Sequence, residues 1–195
     1  MKAWVMVVLL LQIGDLSTLG KHPYRIDYQV QDLKDDTPGS IRGTLWVLGS
    51  LCKSLKVYPD GVTQVDLYDG SQWWLYLSDA PEITPLDRPP LRSVLEFFTG
   101  GEVPILAESS TSLEIPQKNG KLVVKGIRRI AGLGPVPETV IFVDTQGNPV
   151  WKLKVTSIKE APEITESFFQ KSTLPAPKTS ELKARDKEKN PVWDY

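Results

Sequence analysis

With 195 residues, 41% of them hydrophobic and 24% charged, the chain has the make-up of one globular domain with one core. A formal net charge of -1 offers no broad attraction for nucleic acid or an anionic membrane surface, and no basic stripe interleaved with aromatics runs along the chain, so nucleic acid is not expected as a partner. A single cysteine, Cys52, and a single histidine, His22, exclude a disulfide framework, a zinc cluster and the usual Cys-His and Ser-His nucleophiles, and leave Cys52 as a packed apolar residue.

The first twenty residues, "MKAWVMVVLLLQIGDLSTLG", place Lys2 before an apolar run from Ala3 to Leu11 and then turn polar at Asp15, Ser17 and Thr18. That order is that of a secretory signal, and the run is too short to span a bilayer. Three fates stay open for residues 1–20: a cleaved signal peptide, an anchor, or a first helix packed on the sheet.

From Tyr24 the pattern is a series of short strands. "YRIDYQVQDL" alternates loosely, and "SIRGTLWVL" sets Ile41, Leu45 and Val47 against Arg42 and Thr44. "SLKVY" groups Leu55 with Val57, and after the Pro59–Gly61 turn "TQVDLY" sets Val65 and Leu67 against Gln64 and Asp66. The connections are too short for crossover helices, so these strands are antiparallel neighbours. Asp69-Gly70 is a type I′ hairpin signal and leads into "SQWWLYL"; Trp73 and Trp74 there face opposite ways, and parity alone does not say which looks inward.

"PLDRPPLRSVLEFFTGG" carries the one helical signal of the middle of the chain. Asp87 is placed to cap it, prolines fill its first turn, and Gly100-Gly101 stops it, with Leu91, Val94, Leu95 and Phe98 forming an apolar stripe. "VPILAE" continues the apolar character. "SLEIPQKNGKLVVKGI" is a second hairpin, turning at Asn119-Gly120, with Leu113 and Ile115 against Leu122 and Val124. "GIRRIAGLGP" lacks the spacing of a phosphate-binding loop and reads as a loop entering a strand; its Arg128 and Arg129 are either a solvated pair or contacts for an anionic headgroup or acidic partner. "ETVIFVDTQGNPVWKLKV" is the last hairpin, with Trp151, Leu153 and Val155 on one face.

After Phe169 the chain becomes polar and charged, so residues 171–195 read as a flexible tail ending in "PVWDY", a candidate docking motif for a protein partner in the envelope. The acids, including Asp35-Asp36, sit in hydrophilic turns without the apolar surroundings that would tune them for acid catalysis. No catalytic set emerges, no cofactor or metal is called for, and a non-enzymatic protein is expected.

The order of elements carries a resemblance. A G-x-L-W-V strand (Gly43 to Val47), a D-G hairpin with aromatics (Asp69 to Tyr76), a strand pair from Pro137 to Val150 and a closing phenylalanine strand (Phe168, Phe169) together resemble the periplasmic outer-membrane lipoprotein carrier superfamily, the LolA-like lipoprotein-sorting proteins, over Tyr24 to Gln170. The resemblance implies an incomplete antiparallel β-barrel, a highly curved sheet under a short helical lid, as domain 21–170. It also implies a monomeric periplasmic or envelope protein that holds acyl chains of lipids or lipoproteins between sheet and lid. Cys52-Lys53 stands where the carriers have a basic residue and proline, and His22 precedes the first strand, so neither polar residue of the carriers' lid latch has a counterpart. The residues expected to line the cavity are Leu45, Val47, Val57, Val65, Leu67, Trp74, Tyr76, Leu91, Val94, Leu95, Phe98, Leu113, Ile115, Leu122, Val124, Trp151 and Leu153. The other reading is an interaction or sensor module on the same scaffold, its core filled by its own side chains.

Overall fold

The protein is represented by a computed structural model that describes residues 20, 22–34, 39–101, 103–104, 106 and 109–176. The leader up to residue 19, Asp35-Asp36, part of "VPILAE" and the closing "PVWDY" lie outside the described residues.

Ten strands form one antiparallel sheet. In chain order they are β1 (Tyr24–Asp32), β2 (Ser40–Leu48), β3 (Leu51–Val57), β4 (Thr63–Tyr68), β5 (Trp73–Leu77), β6 (Thr84–Leu86), β7 (Ser112–Gln117), β8 (Gly120–Lys125), β11 (Thr139–Asp144) and β12 (Pro149–Glu160), with β9 (Arg128–Ile130) and β10 (Gly134–Val136) pairing separately as a small ribbon. The spatial order is β6-β5-β4-β3-β2-β1-β12-β11-β8-β7, so the sheet stays open, with β6 and β7 at its edges. Two irregularities in the long β12 bend it: Thr156 is squeezed out between the Asp27–Ser157 and Tyr28–Val155 pairs, and Val150 between Phe142–Trp151 and Val143–Pro149. Such bulges raise local twist, which curls a ten-stranded sheet into an incomplete barrel. The Thr156 hydroxyl donates to the Asp27 carbonyl at 3.0 Å, which occupies an oxygen the bulge would leave unpaired.

Several local expectations shift. The Asp69-Gly70 hairpin is not a two-residue turn, because Tyr68 pairs with Trp73 and leaves a four-residue loop. The Asp69 carboxylate organises that loop, accepting from the Ser71 and Gln72 amides at 3.0 and 2.9 Å and from the Trp74 indole at 2.8 Å. The second hairpin turns through Lys118-Asn119, one residue earlier than expected, with Gly120 already paired to Gln117. "GIRRIAGLGP" forms the β9–β10 ribbon, where Arg128 pairs with Glu138 at 3.2 Å and Arg129 donates to the Leu106 carbonyl at 3.3 Å.

The helix is shorter than its sequence signal. It spans Val94–Thr99 with Ser93 as N-cap, its hydroxyl accepting from the Glu96 amide at 3.2 Å, and ends at Gly100 in the left-handed region at φ 72°. Asp87 does not cap it. Residues before a proline are pushed out of helical geometry, so Arg88-Pro89-Pro90 holds the chain extended until Leu91. The apolar stripe survives, since Leu91 packs from just before the helix beside Val94, Leu95 and Phe98, all under 9% exposed.

Both faces of the sheet are apolar, and each is covered. One bears Tyr24, Ile26, Tyr28, Leu45, Val47 and Cys52 together with the buried residues of β7, β8, β11 and β12, beneath α1 and the β9–β10 ribbon. Tyr28 lies flat across β2 at Gly43, where an added Cβ would overlap its ring.

The opposite face of β2 to β5 carries Trp46, Leu48, Leu51, Leu55, Val65, Leu67, Trp74 and Tyr76 beneath a strap formed by Ile164, Phe168, Phe169 and Leu174. Phe168 and Phe169 do not form the closing strand expected of them. Both sides of β12 are already paired, and the chain leaves β12 across the back as two short 3-10 turns, Glu166–Phe169 and Lys171–Thr173. Phe169 is 1% exposed and Leu174 8%, so the packed domain runs past residue 170, while 177–195 lie outside the described residues. Two cations fasten the strap: Lys171 Nζ sits 3.7 Å above the Trp74 ring, and Lys53 Nζ lies 4.4 Å above the Phe168 ring while donating to Thr173 Oγ1 at 3.0 Å. Burial holds the Lys53 ammonium below its ordinary pKa.

Gly43→Ala is expected to destabilise the protein by about 2 kcal/mol or more, because its methyl group would displace the Tyr28 ring; urea denaturation reads the shift in midpoint. Burial acts to raise the Asp69 pKa, but the bonds from Trp74, Gln72 and Ser71 outweigh it and bring the value from 3.8 to about 2. The ionised group therefore adds stability that is complete above about pH 4 and is lost as pH falls toward 2. Asp69→Asn should cost about 1–2 kcal/mol at pH 7, and its gap to the parent chain should close across that window, as thermal melts at stepped pH would record.

Candidate functional site

The candidate site is the concave face under the lid. Twelve of the residues expected from sequence meet there: Leu45 and Val47 of β2; Leu91, Val94, Leu95 and Phe98 of the lid; Leu113, Ile115, Leu122 and Val124 of β7 and β8; and Trp151 and Leu153 of β12. Val57, Val65, Leu67, Trp74 and Tyr76 do not join them. Leu48 pairs with Leu51 across the Gly49-Ser50 turn, which sets Leu45 opposite Ser54 and Ser54 opposite Asp66. Directly paired residues share a face, so Leu55, Val65, Leu67, Trp74 and Tyr76 lie on the back under the strap, and Val57 follows the same parity. Grouping Val57, Val65 and Leu67 with Leu45 on hydrophobicity alone joined two faces that are both apolar.

The paired tryptophans divide between them. Trp73 is 4% exposed on the lid side, where its indole donates to the Pro89 carbonyl at 2.8 Å and ties the start of the lid to β5. Trp74 faces the strap.

Composition varies along this concave face. Over β7, β8, β11 and β12 it is aliphatic and aromatic, including Val140 at 0% exposed and the stacked Phe142–Trp151 pair. Over β3 and β4 it is polar: Ser54, Lys56, Gln64 and Asp66 follow in register beside Tyr28 of β1 and Gly43 of β2. Tyr28 links the two halves, its ring meeting Phe98 edge-on at 5.2 Å and its hydroxyl sharing a 3.1 Å hydrogen bond with Ser54. Burial pushes the Tyr28 hydroxyl far above its ordinary pKa, so it is a neutral partner.

Asp66 is 2% exposed. Its Oδ2 accepts from Gln64 Nε2 at 2.9 Å and lies 3.4 Å from Lys56 Nζ, while Oδ1 faces Arg88 Nη1 at 3.7 Å. Arg88 stands directly before the two prolines that lead into the lid.

Parity does reveal Trp73, Ser54 and Asp66 once the two-residue turn is used to set the register. Ile127, Leu133 and Val136, which join the lid side from the ribbon and its approach, carried no recognisable pattern. Cys52 is completely buried and burial pushes its thiol far up, as expected of an inert apolar residue. Among the described residues no three His, Cys, Asp or Glu side chains come together to hold a metal, and no helix is long and apolar enough to cross a membrane. A separate open hollow of about 490 Å³ lies at the β7–β8 and β11–β12 hairpin tips, lined by Lys118, Lys121, Asp144 and Thr145 among others.

No family model matches this sequence, and no curated protein matches it. Solved structures do. An outer membrane lipoprotein-sorting protein domain from Vibrio parahaemolyticus superimposes with a TM-score of 0.52 at 10% identity, covering 79% of this chain and 92% of that one. An uncharacterized conserved protein from Thermus thermophilus gives 0.49 at 16% identity over 79% and 87%, and a LolA superfamily protein from Nitrosomonas europaea gives 0.34 at 11% over 78% and 91%. At such identities the likeness is one of architecture, and this chain has a LolA-like fold: an incomplete antiparallel barrel with a helical lid.

Proposed function

We propose that the protein is an exported carrier of the cell envelope that holds acyl chains of lipids or lipoproteins between α1 and the concave face, as a monomer and without catalysis. The observation that carries this reading is the disproportion between the two. A ten-stranded curved sheet presents an apolar wall over β1, β2, β7, β8, β11 and β12, and its cover is one six-residue helix and the short β9–β10 ribbon. Such a lid is held at its start by the Trp73–Pro89 bond and the Asp66–Arg88 ion pair and leaves through Gly100-Gly101, so on release of these two contacts the segment from Arg88 can lift as a unit while the sheet stays paired. An acyl chain replacing the stripe would gain about 0.8 kcal/mol per buried methylene. Export is supported by the signal-like order of residues 1–20, and an envelope role by the carrier resemblance.

A second reading is an interaction or sensor module of the envelope with its partner at the C-terminal tail. Its support is the closed state itself, in which Val94 and Leu95 are fully buried and the lid packs as core.

Native mass spectrometry separates the two. The full chain, stripped of lipid and then exposed to membrane lipid extract, should take up acyl species close to one per chain. Hydrogen exchange should change across residues 91–101 and stay constant in the strap at 164–174. An unshifted apo mass, with a protein partner retained by the full chain and lost on removal of residues 177–195, would establish the second reading instead.

A further inference from the structure

We propose that the concave face under the lid carries, at Asp66, a headgroup site that takes the primary ammonium group of an acyl-chain ligand. This deepens the carrier reading and rests on it. The concave face has two chemistries, and the polar one is built of buried groups: Ser54 is 0% exposed and Asp66 2%. A carboxylate so far from water needs donors on both oxygens. Gln64 and Lys56 serve Oδ2, but among the described residues Oδ1 has no hydrogen-bond partner. The charge beside it is Arg88 Nη1 at 3.7 Å, too far for a hydrogen bond, on a side chain 55% exposed.

Arg88 belongs to the segment that enters the lid, so the motion that uncovers the apolar wall also removes the guanidinium from Oδ1. The vacated position calls for a cation bearing N–H donors. An amphiphile with its acyl chain along the wall of β12, β11 and β8 and its ammonium at Asp66 satisfies both halves at once. Lys56 keeps its place on Oδ2, so the carboxylate remains paired. Ser54, directly across the ladder from Asp66, supplies a hydroxyl oxygen as a second acceptor. Donor geometry, and not charge alone, decides the fit: a quaternary ammonium of the same charge offers no N–H.

The test uses single-chain amphiphiles of one length below their micelle-forming concentrations: dodecylammonium, dodecyltrimethylammonium and dodecanoate, titrated calorimetrically into the stripped full chain. Dodecylammonium is expected to bind about tenfold or more tightly than dodecyltrimethylammonium, as a charge-assisted hydrogen bond requires. Asp66→Asn should erase that ratio while leaving weaker chain-driven binding. Arg88→Ala, a change at an exposed side chain that keeps the carboxylate, should strengthen dodecylammonium binding and guards against an Asp66 variant that fails to fold. Equal binding of the two cations, or a preference for dodecanoate drawn to Lys56 and Arg88, would overturn the headgroup site and leave the carrier reading intact. Binding of none of the three would overturn the carrier reading itself.

Discussion

The pairing of Leu48 with Leu51 across Gly49-Ser50 is the constraint from which the rest of the molecule follows. With two residues in the turn, the row Leu45–Ser54–Asp66–Leu75 falls on one face and the row Trp46–Lys53–Leu67–Trp74 on the other. A slip of one residue in β3 would exchange its contributions to the two rows. Lys53 would then stand under the lid and Ser54 under the strap. The contact of Tyr28 with Gly43 and Ser54 opposes that slip, because the ring needs a residue without a Cβ in β2 and a hydroxyl one strand beyond.

The two covers are fixed by different physics. On the back, the strap is fastened by cations over aromatic rings, by the Lys53–Thr173 bonds and by Phe169, none of which gives way without exposing a buried ammonium or a large ring. On the front, the lid is held by a short apolar stripe with Phe98 edge-on to Tyr28, one indole-to-carbonyl bond and an ion pair whose guanidinium is mostly in solvent. Exposed ion pairs contribute little and screen readily. Both layers look like core by burial, yet only the front one is free of a strong polar fastening along its length. This difference is what supports placing the proposed ligand at the front face and not at the equally apolar back.

The residues that announced their structure in the sequence are those whose signal is local. "TQVDLY" is β4 at both ends, and the hairpin sequences place β7, β8, β11 and the start of β12 to within a residue or two, although β12 runs five residues past "KLKV" to Glu160. What stayed hidden depends on pairing partners far along the chain. The division of Val65 and Leu67 from Leu45 needs the inter-strand register, since alternation within a strand names two faces without saying which is inside. The strap was hidden for a related reason: "ESFFQ" has the composition of a strand, and only the occupied edges of β12 turn it into a back cover. The start of α1 was overrun because the apolar spacing from Leu91 continues through residues that Pro89 and Pro90 keep extended.

A buried carboxylate is costly to keep. Replacing a buried ion pair as a whole with well-packed hydrophobic residues is often neutral or stabilising. The two cations around Asp66 do not remove that cost, since Lys56 is 28% exposed and Arg88 55%, and each is solvated well enough to do without a partner. A fold that used the concave face only as core would be served by an aliphatic residue at position 66, which lies across the ladder from Ser54 on one side and Leu75 on the other. The polar row therefore works against the stability of the closed state. In the proposed open state the same row would be an asset, because it would fix the direction in which an amphiphile lies: the aliphatic half would accept a tail wherever it landed, and the carboxylate would orient the head. Closing the lid over a ligand so placed would restore apolar cover along β12 and β11 and donors at Asp66 together, whereas a bare hydrocarbon would restore only the first.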